Sequence, residues 1–251
     1  MIKALIERIR QGSRTIAYPG QTPVLPERFL GRPVIDRSRC AEGCRECVEC
    51  CPTGAVLADD GGMAIDLGRC LFCGECMMSC PRGTITFTRD FRLASREKGG
   101  LIVKGGEQEY ALEALGVELL KLFGRSLKLR QVSAGGCNGC EADVNVLGTV
   151  VFDIGRFGVD FVASPRHADG LLVTGPVPEN MRLALMKTYD AVPSPKIVIA
   201  SGACAISGGP YICRPEAHDG AGKFIPVDIY IPGCPPHPLT ILDAVVRLLG
   251  K

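Results

Sequence analysis

The spacing of the cysteines constrains this chain more than any other feature, because twelve of the 14 fall into three groups of four. The first group has gaps of three, two and three residues and ends in Cys-Pro; its members are Cys40, Cys44, Cys47 and Cys51. The second has gaps of two, two and three residues and also ends in Cys-Pro; its members are Cys70, Cys73, Cys76 and Cys80. The third group is dispersed and consists of Cys137, Cys140, Cys204 and Cys234. Runs of the second kind are typical of cysteines that ligate iron–sulfur clusters, so the sequence predicts three 4Fe–4S clusters.

The composition narrows the remaining function classes. With 251 residues, 46% of them hydrophobic, the chain can bury a sizeable core. A net charge of +2, the lack of a long basic run and the absence of tryptophan argue against nucleic-acid binding. No uncharged apolar stretch reaches about 18 residues, so no transmembrane span is expected. The charged start of the chain is unlike a secretory signal. We therefore expect a reducing, cytoplasmic compartment, in which clustered cysteines indicate metal or redox chemistry.

Residues 36–90 contain an internal repeat of about 30 residues. In each copy a cysteine loop ends in Cys-Pro and a β-rich run follows, GAVLAD after Cys51 and GTITFT after Cys80. In two-cluster ferredoxins the fourth cysteine of each run ligates the other cluster. The predicted ligand sets are therefore Cys40, Cys44, Cys47 and Cys80 for one cluster, and Cys51, Cys70, Cys73 and Cys76 for the other. Cys50 could displace Cys51, although Cys51 keeps the required spacing; otherwise Cys50 and Cys213 are expected to be small buried hydrophobic residues.

Three segments are predicted along the chain. Residues 1–95 form an α+β ferredoxin-like twin-cluster domain, residues 96–124 a linker and a helix over about 107–123, and residues 125–251 an α/β flavodoxin-like domain. In the last segment, apolar β-rich runs alternate with helical stretches, the pattern of a parallel sheet covered on both faces. The predicted strands are LKLRQVSAG, VDFVAS, GLLVTG, KIVIASG and VDIYIPG, and helices are predicted after Cys140, from Pro178 and from Pro238.

The dispersed third group of cysteines is explained by this sheet. Each of its members follows the carboxyl end of a predicted strand, which is the edge where open α/β sheets bind their ligands. We therefore expect Cys137, Cys140, Cys204 and Cys234 to converge in one crevice. A structural zinc ion held by four cysteines is the alternative for this group.

The beginning of the chain predicts an amphipathic helix. Ile2, Leu5, Ile6 and Ile9 form an apolar stripe at helical spacing, with charged residues opposite. Such a helix either packs on its own domain or docks on a partner or membrane-arm subunit, and both alternatives stay open.

The motifs resemble two known subunits joined end to end. Residues 1–95 resemble the ferredoxin-like electron-transfer subunit of formate hydrogenlyase and its complex I counterpart, through the YPG strap, FLGRPVID and LGRCLFCGECMMSCP. From about residue 125 the chain resembles the small subunit of energy-converting nickel–iron hydrogenases and its complex I relative, the 20 kDa subunit. The matching stretches are GGCNGCEADV, SPRHADGLLVTGPV, PKIVIASGACAISGG and PVDIYIPGCPP. The spacing of Cys137 and Cys140 is hydrogenase-like, since complex I relatives carry adjacent cysteines there, and His167 also looks hydrogenase-like.

The resemblance implies the electron-transfer subunit of a membrane-associated hydrogenase or formate hydrogenlyase-type complex, which relays electrons through three 4Fe–4S clusters to a separate nickel–iron large subunit. The implied donor is a formate dehydrogenase, a carbon monoxide dehydrogenase or a ferredoxin. Membrane-arm subunits would hold the chain at the cytoplasmic face of the inner membrane, and no catalytic centre is expected in the chain itself. Glu141 is expected either to help proton movement or tune the third cluster, or to be only a helix-start carboxylate favoured by the helix dipole.

Two other function classes stay open at this point. One is a complex I-like iron–sulfur subunit that passes electrons from NADH or ferredoxin to quinone, which a partner without nickel-ligating cysteines would support. The other is a non-redox zinc-binding scaffold, which would contain neither iron nor sulfide.

Overall fold

The computed structural model describes residues 2–41, 43–59, 62–106, 112–124 and 126–251. Short strands and helices surround the first two cysteine groups, and a parallel sheet forms the C-terminal half. The strands are β1 (Pro33–Ile35), β2 (Val56–Asp59), β3 (Gly62–Asp66), β4 (Ile85–Phe87), β5 (Ile102–Lys104), β6 (Leu127–Ser133), β7 (Val159–Phe161), β8 (Gly170–Thr174), β9 (Ile197–Ser201) and β10 (Ile229–Ile231). The α-helices are α1 (Ile2–Gln11), α2 (Glu46–Glu49), α3 (Glu75–Met78), α4 (Val117–Phe123), α5 (Gly139–Val146), α6 (Glu179–Ala191), α7 (Ala203–Ser207) and α8 (Pro238–Leu248).

The C-terminal sheet contains five parallel strands in the order β10-β9-β8-β6-β7. Read from β7 and numbered from β6, this is the 2-1-3-4-5 order of flavodoxin-like sheets. Strands β8 and β9 are buried at every position, because both are continuous apolar runs with the sheet covered on its two faces. The predicted α/β domain with a parallel sheet is confirmed, and all five predicted strands are present.

The helices of this half begin close to the predicted positions. In α8 every residue except Arg247 is buried, Pro238 lies in the first turn, and His237 caps the helix by accepting the Leu239 N–H at 3.1 Å. Pro178 is instead the residue just before α6, outside its first turn. Within the described residues, no helix is both long and apolar enough to cross a bilayer.

Helix α4 is shorter than the helix predicted over about 107–123. Residues 107–111 lie outside the described residues, and residues 112–116 are not helical. Leu112 and Leu115 are nevertheless buried in the core of the C-terminal half, and the Leu115 N–H donates to the Leu248 carbonyl at 2.9 Å. This long-range bond takes the place of an intrahelical one, so tertiary packing overrides the helical pattern. Gly124 follows the last residue of the helix, in agreement with the predicted end near residue 123.

The N-terminal half consists of two small antiparallel sheets, β2-β3-β5 and β1-β4, with α2 and α3 beside them. The internal repeat is visible, since α2 carries Cys47 and α3 carries Cys76, and each precedes a Cys-Pro and a strand. The β-rich runs predicted after Cys51 and Cys80 are β2 and β4. Strands β1, β3 and β5 were not predicted, and β5 pairs with β3 although it lies inside the predicted linker 96–124. The segment boundaries at 95 and 125 stay predictions.

The two halves pack against each other through several direct contacts. The Tyr18 hydroxyl, near the N terminus, donates to the Asp243 carboxylate in α8 at 2.5 Å. Ser95 exchanges two backbone hydrogen bonds of 2.9 and 2.8 Å with Tyr230 in β10. Ile206 of α7 shares a buried core with Leu101 of the N-terminal half. The Ser207 hydroxyl at the end of α7 donates to the Gly68 carbonyl at 2.8 Å, so the loop that leads to the second cysteine group is held against the C-terminal half.

Candidate iron–sulfur centres

The third cysteine group lies at the carboxyl edge of the parallel sheet. Cys137 and Cys140 follow β6, Cys204 lies in α7 directly after β9, and Cys234 follows β10. Burial raises the pKa of Cys140 and of Cys204 to about 12, and negative charge on the other thiols of the group adds to the rise. The structure therefore brings together the four cysteines that the strand order predicted to meet. Thiols so placed bind protons tightly unless a cation compensates their charge.

The backbone around this group leaves room that a side chain would fill. Gly202 has a φ of +93°, and a Cβ atom on it would lie 2.6 Å from the Cys140 Sγ. A Cβ atom on Gly209 would lie 2.9 Å from the Cys204 Sγ. The cavity between the four thiols is also lined by Gly136, Gly139, Gly175 and Gly233. Glycines in these loops let the backbone approach a bulky inorganic group closely, so the residues fit a 4Fe–4S cluster.

Glu141 lies in the first turn of α5 and is buried next to the third group. Its Oε1 accepts hydrogen bonds from the Ser133 hydroxyl at 2.7 Å and the Thr174 hydroxyl at 2.6 Å. Burial alone would raise the pKa of Glu141, but the two hydroxyl bonds outweigh it and lower the pKa. Sequence reasoning found Glu141 and missed Ser133 and Thr174. Their position in the sequence could have indicated them, because they are the last residues of β6 and β8, two adjacent strands of the sheet.

In each of the first two groups, the fourth cysteine lies beside the other run. Burial raises the pKa of Cys47, and negative charge on Cys80, Cys40 and Cys44 raises it further. Burial likewise raises the pKa of Cys70 to about 12, with contributions from Cys76, Cys51 and Cys73. One cavity is also lined by Cys51 together with Cys70, Cys73 and Cys76, so Cys51 lies beside the second run and Cys80 beside the first.

The two exchanged cysteines have matching environments. The Ala55 N–H donates to the Cys51 Sγ at 3.2 Å, and the Thr84 N–H donates to the Cys80 Sγ at 3.3 Å. Burial would raise the pKa of both thiols, but N–H and hydroxyl donors in the following turn outweigh it and lower the pKa. A Phe72 N–H bond of 3.3 Å to the Cys70 Sγ adds a third donor. Such donors stabilise thiolates, the form that binds iron.

The remaining cysteines and His167 have different surroundings. Cys50 is partly buried, and its thiol donates to the Cys47 carbonyl at 3.5 Å. Negative charge on Cys50 also contributes to the raised pKa of Cys76, after burial and the charges on Cys51 and Cys73. Cys213 is exposed, which contradicts the expectation that it is buried, and its N–H donates to Asp219 at 3.0 Å. His167 ends an exposed turn after β7. In the described part of the chain, no three His, Cys, Asp or Glu side chains are grouped as around a single metal ion.

The three thiol groups follow one another in space. Helix α2, which carries Cys47 of the first group, packs against α3, which carries Cys76 of the second. Leu71 and Phe72, in the loop of the second group, line one cavity with Cys234 of the third. The second group thus lies between the other two.

Comparison with known proteins identifies the family. Residues 137–248 match the family described as the NADH ubiquinone oxidoreductase 20 kDa subunit, and residues 63–86 match the 4Fe–4S binding domain. The probable membrane-bound hydrogenase subunit mbhJ of Pyrococcus furiosus is 44% identical over 140 residues, which cover 56% of this chain and 84% of the relative. The chain belongs to the NADH ubiquinone oxidoreductase 20 kDa subunit family.

Relatives in this family include both hydrogenase-type and complex I-type subunits. Formate hydrogenlyase subunit 7 of Escherichia coli is 40% identical over 158 residues, which cover 63% of this chain and 62% of the relative. An NADH-quinone oxidoreductase subunit of Clostridium beijerinckii is 44% identical over 113 residues, which cover 45% of this chain and 67% of the relative. The predicted resemblance to both kinds of subunit is thus confirmed. The family match spans the third cysteine group, and the 4Fe–4S match spans the second but not the first.

Proposed function

We propose that the chain is the electron-transfer subunit of a membrane-associated, energy-converting hydrogenase or formate hydrogenlyase-type complex. The observation that carries the proposal is the series of three thiol groups: α2 with Cys47 packs against α3 with Cys76, and the loop of the second group lines one cavity with Cys234 of the third. The two hydrogenase-type relatives support it. Electrons from a donor at the first group would leave at the third for a separate catalytic large subunit.

We further propose that three 4Fe–4S clusters are bound in a ferredoxin-like twin-cluster domain, residues 1–95, and in the domain of residues 125–251. When bound, such clusters take up and release single electrons. The chain's own residues hold them by thiolates and stabilise the negative charge by N–H donors, and water is excluded from the buried thiols of Cys47, Cys70, Cys76 and Cys204. The proposed sets are Cys40, Cys44, Cys47 and Cys80; Cys51, Cys70, Cys73 and Cys76; and Cys137, Cys140, Cys204 and Cys234.

The first experiment is a metal analysis of anaerobically purified full-length chain. We expect about 12 iron and about 12 sulfide per chain, with paramagnetic signals on reduction and no stoichiometric zinc. Zinc in place of iron, with no sulfide, would overturn the cluster proposal in favour of a zinc scaffold.

The partners are proposed to be a nickel–iron large subunit, membrane-arm subunits and a donor such as formate dehydrogenase, carbon monoxide dehydrogenase or ferredoxin. They would place the chain at the cytoplasmic face of the inner membrane. A complex I-like subunit that delivers electrons to quinone is the second candidate, because a quinone oxidoreductase subunit is 44% identical. The separation of Cys137 from Cys140 by two residues favours the hydrogenase.

Purification of the tagged chain with its native partners separates the two candidates. We expect nickel in the complex and reduction of the chain's chromophores by hydrogen. A nickel-free complex whose chromophores are reduced by NADH and reoxidised by a quinone would support the alternative instead.

Glu141 is proposed to tune the third cluster. Its carboxylate is one residue from Cys140 and is fixed by Ser133 and Thr174. A negative charge so close disfavours the addition of an electron, so Glu141→Gln should raise the reduction potential of the third cluster relative to the other two. Glu118→Gln, at an exposed position of α4, is the control and should change no potential. Unchanged potentials together with unchanged hydrogen turnover in Glu141→Gln would leave Glu141 a structural helix-start residue.

A further inference from the structure

The amphipathic helix α1 has no role in the proposed electron path. Its four large apolar residues, Ile2, Leu5, Ile6 and Ile9, form one face at helical spacing. All ten residues of α1 are exposed, with Ile2 77% and Ile9 73% accessible. The alternative in which this helix packs on its own domain is therefore not what the structure shows. An apolar face of this size in water is normally covered by something else.

The polar residues of α1 favour an anionic surface as the covering. Residues 2–14 carry four basic side chains and one acidic side chain, Glu7, which is paired with Arg10 at 3.3 Å. At about 100° per residue, Lys3 and Arg10 lie on one side of the apolar stripe and Arg8 on the other. Long cationic side chains on both flanks can lie along an apolar surface and reach anionic groups above it. A plane of anionic lipid headgroups matches basic side chains on both flanks of the stripe.

The attachment of the helix extends the apolar surface. The Thr15 hydroxyl donates to the Val150 carbonyl at 2.8 Å, and the Ile16 N–H donates to the Val151 carbonyl at 3.0 Å. Both valines are exposed hydrophobic side chains. The chain thus leaves the folded body beside a second apolar patch, so α1 and the two valines can face the same plane.

We propose that α1 lies in the headgroup layer of an anionic bilayer, with its apolar stripe toward the acyl chains and its basic side chains on the lipid phosphates. Interfacial helices combine a strong apolar face with lysine and arginine on the polar face, and each basic residue near an anionic surface adds to the attraction. The chain would then contact the membrane directly, beyond the indirect association through partner subunits proposed above. One short helix gives weak, reversible attachment, which suits a subunit that partners also hold.

The test is co-sedimentation of the anaerobically purified full-length chain with vesicles. One set is phosphatidylglycerol with phosphatidylethanolamine and the other is phosphatidylcholine alone. A triple variant, Ile2→Gln, Leu5→Gln and Ile9→Gln, removes the stripe without changing the charge. The matched control is Leu183→Gln on α6, because Leu183 is 61% accessible and Leu5 is 62% accessible. Iron content and absorption spectra verify that each variant is folded.

We expect the wild type to bind the anionic vesicles at least tenfold more strongly than the neutral ones, and salt to weaken this binding. The affinity of the triple variant for the anionic vesicles should be at least tenfold lower than that of the wild type, and Leu183→Gln should bind them as strongly as the wild type. Equal binding to both vesicle types, no binding, or an equal loss in Leu183→Gln would overturn the proposal. So would concentration-dependent dimerisation that the triple variant abolishes, because it would show that a second copy covers the stripe.

Discussion

Gly202→Ala is expected to remove the third cluster while the first two remain. Gly202 links the end of β9 to α7, which carries Cys204, and its φ of +93° is a conformation that alanine adopts only under strain. The added methyl group would lie 2.6 Å from the Cys140 Sγ. The substitution therefore acts on two proposed ligands of the third group, one by contact and one through the backbone.

The structure sets the size of the effect. Ordinary contacts of a Cβ atom begin at 3.4 Å, so the Cys140 Sγ would have to move by about 0.8 Å. Metal–ligand distances tolerate only about 0.2 Å, so the displacement is some four times larger than a cluster bond accepts. Rotation about the Cys140 side chain would relieve the contact but would turn the thiol out of the group. The backbone strain costs about 1–3 kcal/mol in addition, which a folded domain of this size can tolerate.

The assay is iron and sulfide analysis combined with electron paramagnetic resonance of the reduced protein. Gly202→Ala should contain about eight iron atoms in place of about 12, and should lose one signal of three. Gly99→Ala is the control, because no atom lies within 4 Å of the position of its Cβ. A Gly202→Ala protein that keeps all its iron and the wild-type potentials would refute the reasoning, since Cys140 would then not be bound at the place where the structure puts it.

Two further predictions concern the N-terminal half. Cys51→Ser should lose about four iron atoms, whereas Cys50→Ser should keep the full content, because the Cys51 Sγ accepts the Ala55 N–H while the Cys50 thiol donates to a carbonyl; the reverse result would assign Cys50 as the ligand. Tyr18→Phe should lower the free energy of unfolding by about 1 kcal/mol, because buried Asp243 loses a donor. Burial and the bond to Asp243 raise the pKa of Tyr18, so in the wild type its share of the stability is present below about pH 10 and is lost above it. Denaturant unfolding should be measured at pH 8 and above pH 10 for both proteins. The free energy of unfolding should fall less between these two pH values in Tyr18→Phe than in the wild type, and an equal fall in both would contradict this assignment.

The C-terminal half was predictable because its signals are strong and mutually consistent. Continuous apolar runs of strand length, such as the ones that became β8 and β9, leave few alternatives to buried parallel strands. Once the strands are placed, Cys204 and Cys234 must lie at the same sheet edge as Cys140, although 64 residues separate Cys140 from Cys204 in the chain. The sequence pattern is therefore sufficient to predict the crevice.

Features that depend on long-range contacts could not be predicted. The segment before α4 has helical spacing, but the Leu115 N–H bonds to Leu248 and the helix begins later. In the sequence, Ser133 and Thr174 are ordinary residues at the ends of strands. Only the order of the strands in the sheet places their hydroxyls next to Glu141. Three-residue strands such as β1 and β5 are too short for a periodic pattern, and only their pairing defines them.

The contact between the two halves has a consequence for the proposed electron path. The Ser207 hydroxyl donates to the Gly68 carbonyl at 2.8 Å, and a Cβ atom on Gly68 would come within 2.9 Å of the Ile206 side chain. Gly68 is two residues before Cys70, and Ser207 is three residues after Cys204. This contact holds the second and third thiol groups at a fixed separation. The separation matters because the rate of electron transfer depends on distance. Two separate subunits would have to maintain the same separation through a binding equilibrium, whereas in this chain it is part of the folded core.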